Sequence, residues 1–256
     1  IQIPNQITWE PLYGIELDWI LCDAIRRHMT NDNQGRSGVL IRGVTRGIEQ
    51  KELMLQLKKQ MRFQEQSEEQ ILNTLKSEVL QGGYYLVDYR GYADYSPGDN
   101  VVHIIAMGSP TTEAIKASEA LLSMGIYANV IVVTSSDLIC GIQGHENDYT
   151  YLKQYLGINA NLFIKDNGGL TTPEINTLAG QRIPIVSVHD GEAGLLDNIG
   201  SIVGVRQESL AVRKHSKCGR PKDIYEYHHL DCDSIVQACQ KVLAETALEQ
   251  TIFRKN

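Results

Sequence analysis

Nowhere in this 256-residue chain do 18 apolar residues run together, so no stretch reads as a membrane span. A CxxC pair is also missing. The five cysteines, Cys22, Cys140, Cys218, Cys232 and Cys239, are odd in number and scattered, which argues against a zinc site or a disulfide framework. Reduced thiols in a cytoplasmic compartment are the expectation. GxGxxG and the Walker lysine are absent, which removes the common dinucleotide and triphosphate fingerprints. Positive charge is in deficit: 24 Lys and Arg against 31 Asp and Glu give a net charge of -7 and a pI near 5.5, a poor match to a nucleic-acid surface. The chain opens at Ile1 with neither an initiator methionine nor a signal peptide, as expected of a fragment.

What is present is clearest between residues 100 and 141. Residues 101–107 and 129–134 are short, nearly unbroken Val- and Ile-rich runs, the pattern of strands buried on both faces of a parallel sheet. Between them Ala114, Ala117, Leu121 and Met124 recur at three or four residues and share one helix face. Ser109 fits the N-cap, Pro110 the first helical position, and Gly125 the left-handed stop. The stretch is a βαβ unit. Its Gly108-Ser109 turn exposes backbone N–H groups at a helix N-terminus, where an anion can bind; equally, the turn only closes the unit.

Around this unit the chain divides into residues 1–90, a linker over 91–100 and residues 101–256. In the first part, residues 11–29 carry a mixed apolar pattern whose later part has helical spacing, a buried strand is expected over 39–44, and Leu53, Leu57, Met61, Ile71, Leu72, Leu75 and Leu80 mark helices interrupted by a polar boundary at 64–70. Gly82-Gly83 ends that pattern before a strand at 84–89. One strand and its helices cannot enclose a core, so this part is expected to need further partners. The last part continues as short helix at 148–156, strand at 161–165, buried strand at 183–188, helix at 194–202, strand at 209–212, and helices at 222–228 and 234–246. Alternating strands and helices predict a doubly wound α/β layer whose sites lie at the carboxyl ends of its strands.

Other candidate groups read as structural. His189-Asp190 combines an imidazole with a carboxylate, but neighbours in a strand point to opposite faces. His228-His229 has no third ligand at metal spacing, and His145-Glu146 does not begin HExxH because Tyr149 stands where the second histidine would. Ser135-Ser136-Asp137 has the form of a helix cap, without GxSxG around it. Cys218 sits among Arg213, Lys214, His215, Lys217, Arg220 and Lys222, an electropositive setting that would favour its thiolate and could hold an anion.

Five stretches together resemble a known family. IPNQITWEPLYGIELDWILCDAIRRHM is similar to the end of the pyrimidine-binding domain of the homodimeric pyruvate dehydrogenase decarboxylating component, and VLIRGVTRGIEQ to its next strand and turn. HIIAMGSPTTEAIKASEALLSMGIYANVIVVTSSDLICG, IPIVSVHDGEAGLLDNIGSIVG and SKCGRPKDIYEYHHLDCDSIVQACQKVL resemble, in order and spacing, its transketolase carboxyl-terminal-like domain. The resemblance implies an α/β fold with a mostly parallel sheet, preceded by the end of a pyrimidine-binding α/β domain. It implies a thiamine diphosphate enzyme that decarboxylates a 2-oxo acid and passes the acyl group to the lipoyl-bearing acyltransferase of its complex, with a homodimer as the working unit. The diphosphate and magnesium site, and the glutamate that activates the aminopyrimidine, would lie in an amino-terminal part outside this sequence, so no catalytic residue and no bound cofactor is expected here. Thr45 and Arg46 fall where transketolase relatives carry a serine and an arginine at the substrate mouth. The 51–80 region is longer and more charged than the family leads one to expect. A transketolase-like enzyme and a stand-alone α/β module binding an anionic effector are the rival expectations.

Overall fold

The computed structural model describes residues 6–30, 38–44, 48–158, 182–215 and 217–254. The expected strand at 161–165 and the candidates Thr45 and Arg46 lie outside the described residues.

Five strands form the main sheet: β3 (Gly83–Val87), β4 (Val101–Met107), β5 (Tyr127–Val133), β6 (Ile185–Glu192) and β7 (Gln207–Val212), in the order β3-β5-β4-β6-β7. All neighbours are parallel except β3, which runs antiparallel to β5. The fold is therefore mixed α/β with a mostly parallel sheet. β4 shows why its run is unbroken. Val102, Ile104 and Ala106 face a layer made by α4 (Thr111–Ser123) and the long closing helix Cys232–Arg254, while Ile105 and Met107 face the opposite core with Ile139, Leu152, Leu196 and Ile199. Covering both faces removes any polar alternation.

The βαβ reading holds with local corrections. α4 starts at Thr111 after Pro110, and Ser109 does not cap it. Gly125 does adopt the left-handed φ of 77° that stops the helix. Ala114, Ala117 and Leu121 are fully buried, but Met124 is the C-cap and lies exposed, because the helix face has turned away from the sheet by that point.

The first part contributes β1 (Gln6–Trp9), α1 (Gly14–Met29), β2 (Gly38–Ile41), α2 (Gln50–Lys59) and α3 (Glu68–Leu80). α3 opens with a capping box in which the Ser67 side chain and backbone exchange hydrogen bonds with Gln70. Leu53, Leu57, Ile71, Leu75 and Val79 from α2 and α3 pack with Tyr84 and Leu86 of β3 and Val132 of β5. Ile20 of α1 joins the same core. β3 thus belongs to the main sheet, although the boundary at residue 90 assigns it to the preceding part. Gly82, at φ 110°, makes the turn between α3 and β3; a Cβ there would sit 2.8 Å from Leu138 Cβ.

β1 and β2 pair in parallel as a separate two-stranded sheet. Its β2 was expected to be buried. Instead Val39 and Leu40, which point to opposite faces of the strand, are both exposed. α1 also carries an open apolar stripe: Leu21, Ile25 and Met29, spaced four apart, are all exposed, Met29 to 78%.

Candidate functional site

In an open parallel sheet the chain reverses its winding between two strands, and the crevice beyond their carboxyl ends is the usual binding place. Here the connection after β4 leads to β5 on one side, and the chain later returns to place β6 on the other side of β4. The crevice is therefore formed by Gly108 and Ser109 after β4 and by His189 and Asp190 in β6, with Met107 and His189 in register. The two stretches singled out in the sequence meet there.

The crevice is filled by the protein's own groups. The Ser109 hydroxyl donates to Asp190 Oδ2 at 3.0 Å and lies 2.5 Å from the hydroxyl of Tyr225 in the helix Pro221–His228. The Arg42 guanidinium, just past β2, contacts Asp190 Oδ1 through Nη2 at 2.6 Å and Glu10 Oε2 through Nη1 at 3.2 Å. Gly108 is at φ 69°, and a Cβ built on it would lie 2.1 Å from Glu10 Oε1 and 3.3 Å from Asp190 Oδ1. Glycine is required both by the backbone angle and by the carboxylate that presses on it. Glu10 is itself held by its backbone N–H donating to Thr134 O at the end of β5. Two carboxylates, one guanidinium and two hydroxyls thus fasten the β1–β2 sheet to the carboxyl edge of the main sheet.

Burial raises the Glu10 carboxyl to about 7; the Arg42 charge opposes that shift and Asp190 adds to it. Burial lowers His189 to about 4 against the opposing pull of Asp197 and Asp190. Its Nδ1 accepts the Gly191 N–H, so the imidazole is held neutral with the proton on Nε2. Ser109 has no imidazole hydrogen-bonded to it, so no nucleophile–base pair forms. The Gly108-Ser109 turn, the anion candidate, faces Glu10 and Asp190. A diphosphate with magnesium does not fit this donor set: the phosphates would meet two carboxylates with a single guanidinium to offset them, and that guanidinium is already shared. Among the described residues no group of three His, Cys, Asp or Glu could hold a metal ion, and no helix is long and apolar enough to cross a membrane.

The remaining candidates take structural places. Asp137 accepts the Thr8 backbone N–H at 2.7 Å, which seats β1 on the main unit, while Ser135 makes no side-chain cap. His228 and His229 end the helix Pro221–His228, His229 in the left-handed region at φ 59°. In the basic cluster, Lys214 and Lys217 stand over the Tyr227 ring and Arg213 faces Asp197, while Cys218 is exposed. Sequence reasoning missed Glu10, Arg42 and Tyr225. Arg42 had one available signal, a cation inside an otherwise apolar predicted strand; Glu10 and Tyr225 had none, since only the fold brings them to Ser109.

The fold is transketolase-like. The chain is similar to a mutant transketolase from Pichia stipitis, with a TM-score of 0.54 and 15% identity over 94% of this chain and 25% of that one. It is also similar to transketolase from Leishmania mexicana, with a TM-score of 0.53 and 12% identity over 95% of this chain and 26% of that one. At these identities the likeness is one of fold, and the chain spans about a quarter of the length of either neighbour. No protein-family model and no curated protein matches the sequence.

Proposed function

We propose that this chain is the carboxyl-terminal portion of a thiamine diphosphate-dependent pyruvate dehydrogenase decarboxylating component, and that it acts within the larger enzyme as a scaffold and dimer-forming unit. The observation that carries the proposal is the unfinished β1–β2 layer. A two-stranded parallel sheet has too little area to stand alone. Its β2 edge and the Leu21, Ile25 and Met29 stripe of α1 are open and apolar, as expected where the remainder of a pyrimidine-binding domain would pack. The order and spacing of the five sequence stretches favour the pyruvate dehydrogenase component over a transketolase.

In this reading the clamp of Glu10, Arg42, Asp190 and Ser109 keeps the end of the pyrimidine-binding unit in register with the carboxyl-terminal domain. It has a positioning role. The chemistry, with thiamine diphosphate and magnesium, belongs to the upstream part, the homodimer partner and the lipoyl-bearing acyltransferase. Pyruvate decarboxylation with an artificial electron acceptor, thiamine diphosphate and magnesium tests this: the 256-residue chain should show no turnover, and the same chain extended upstream should turn over. Turnover by the short chain would overturn the proposal.

A further inference from the structure

A cavity of about 160 Å³ is lined by the end of β7 and by the carboxyl end of the helix Pro221–His228. Its walls hold Ser209, Arg213, Lys214, His228 and His229, with Leu210 and Ala211 between them and no carboxylate. In a chain of net charge -7, a cavity with that lining is a local attraction for an anion.

His228 makes it more than a dip in the surface. Its side chain is 6% exposed, and both ring nitrogens are buried without a hydrogen-bond partner. A neutral imidazole carries one N–H donor and one acceptor, and buried polar groups are nearly always paired. An acceptor oxygen at this wall would supply the partner that the donor lacks.

Positive charge gathers at the same place and is not neutralised there. The Tyr227 ring meets the His228 ring edge-on, with centroids 4.8 Å apart. Lys214 and Lys217 both stand over Tyr227, their Nζ atoms 5.2 and 4.1 Å from the ring centroid, and neither pairs with a carboxylate among the described residues. A ring quadrupole attracts a cation but has no net charge to cancel it, so two like charges are held close together. Arg213 reaches Asp197 Oδ2 and the Ser209 carbonyl only at 3.4 Å, both long for hydrogen bonds.

We propose that this cavity binds a phosphate group, with His228 donating to one oxygen and Lys214 and Arg213 offsetting its charge. Its volume is below the roughly 300 Å³ at which pockets for drug-sized ligands begin, so it takes the phosphate and leaves the rest of a phosphorylated molecule in solvent. Two cationic side chains at one small cavity favour phosphate over a singly charged carboxylate. The site shares the helix of Tyr225 but none of the clamp's residues, and the inference does not depend on the proposed function.

Titration calorimetry of inorganic phosphate into the full chain, at constant ionic strength set with potassium chloride, is the test. Phosphate should bind with a dissociation constant of about 1 mM or tighter, and acetate about tenfold more weakly or less. Lys214 is exposed, so Lys214→Gln leaves the fold intact and should weaken phosphate about tenfold, the scale of one lost charge-assisted hydrogen bond. His228→Phe keeps a ring without its donor. It should weaken phosphate by a similar factor, while its melting temperature in phosphate-free buffer stays at or above that of the parent, because an unpaired buried polar group has gone. A purely structural His228 would give the reverse, a lower melting temperature with unchanged phosphate affinity. Absence of phosphate binding, acetate binding as tight as phosphate, or an affinity unaltered in Lys214→Gln or in His228→Phe would overturn the proposal.

Discussion

Gly108 is the residue on which the clamp depends. Gly108→Ala would force a Cβ to within 2.1 Å of Glu10 Oε1 at a φ of 69°, and urea unfolding should show a loss of about 1–3 kcal/mol, the range for strained left-handed positions. Four buried ionisable groups also set an unusual response to pH. Burial raises Glu10 and Glu16 to about 7 and lowers His103 to about 3 and His189 to about 4. Between about pH 4.5 and 6.5 the folded state holds two more carboxyl protons than the unfolded state and two fewer imidazole protons, so the terms cancel and stability should be flat. Above that window the carboxyl term alone remains and stability falls as pH rises towards 7; below it the imidazole term alone remains and stability falls as pH falls towards 4. Glu16 accepts the Tyr84 hydroxyl on Oε1 at 2.5 Å and the Leu12 N–H on Oε2 at 2.6 Å; a glutamine amide can keep the Leu12 bond with its oxygen while its nitrogen donates to the Tyr84 hydroxyl oxygen. In Glu16→Gln one carboxyl term is gone, and urea midpoints should rise across the window by about 1.4 kcal/mol of stability per pH unit; a curve as flat as the parent's would contradict the assignment. None of this was legible in the sequence, since a glutamate near a tyrosine 68 positions away becomes a buried pair only after α1 has docked.

At the scale of elements the sequence was more informative. The unbroken runs of β4, β5 and β6 and the spacing of α4 reflect burial that repeats along the chain, and such periodicity survives any change of neighbours. β2 shows the limit: its Val and Ile composition predicts a strand correctly but cannot say whether a layer covers it, and here Val39 and Leu40 lie open. The polar stretch at 64–70 marks a boundary in the sequence, but nothing there distinguishes the Ser67 cap from its polar neighbours. Ser67→Ala removes one half of the capping box and should lower stability by about 1 kcal/mol, measured by thermal unfolding. Amide exchange should be slowest in β4 and β5, which have strands on both sides and covered faces, and faster in β2, which among the described residues pairs on one edge only. Equal protection in β2 and β4 would mean that the small sheet is complete as it stands.

For the whole molecule, fold and activity separate. The α/β class and the carboxyl-edge crevice followed from strand pattern alone, and Gly108-Ser109 and His189-Asp190 do converge there. Their use did not follow, because the groups that fill the crevice come from residues 10, 42 and 225, far away in the chain. The proposal that the chain is part of a larger thiamine enzyme, with the cofactor chemistry upstream, draws on the sequence resemblance and on the open apolar layer; the likeness to transketolases is one of fold. Isothermal titration of thiamine diphosphate with magnesium, into the 256-residue chain and into the same chain extended upstream, tests that account most directly. Heat of binding in the extended protein and none in the short chain is the predicted result; tight binding by the short chain, or none by either, would contradict it.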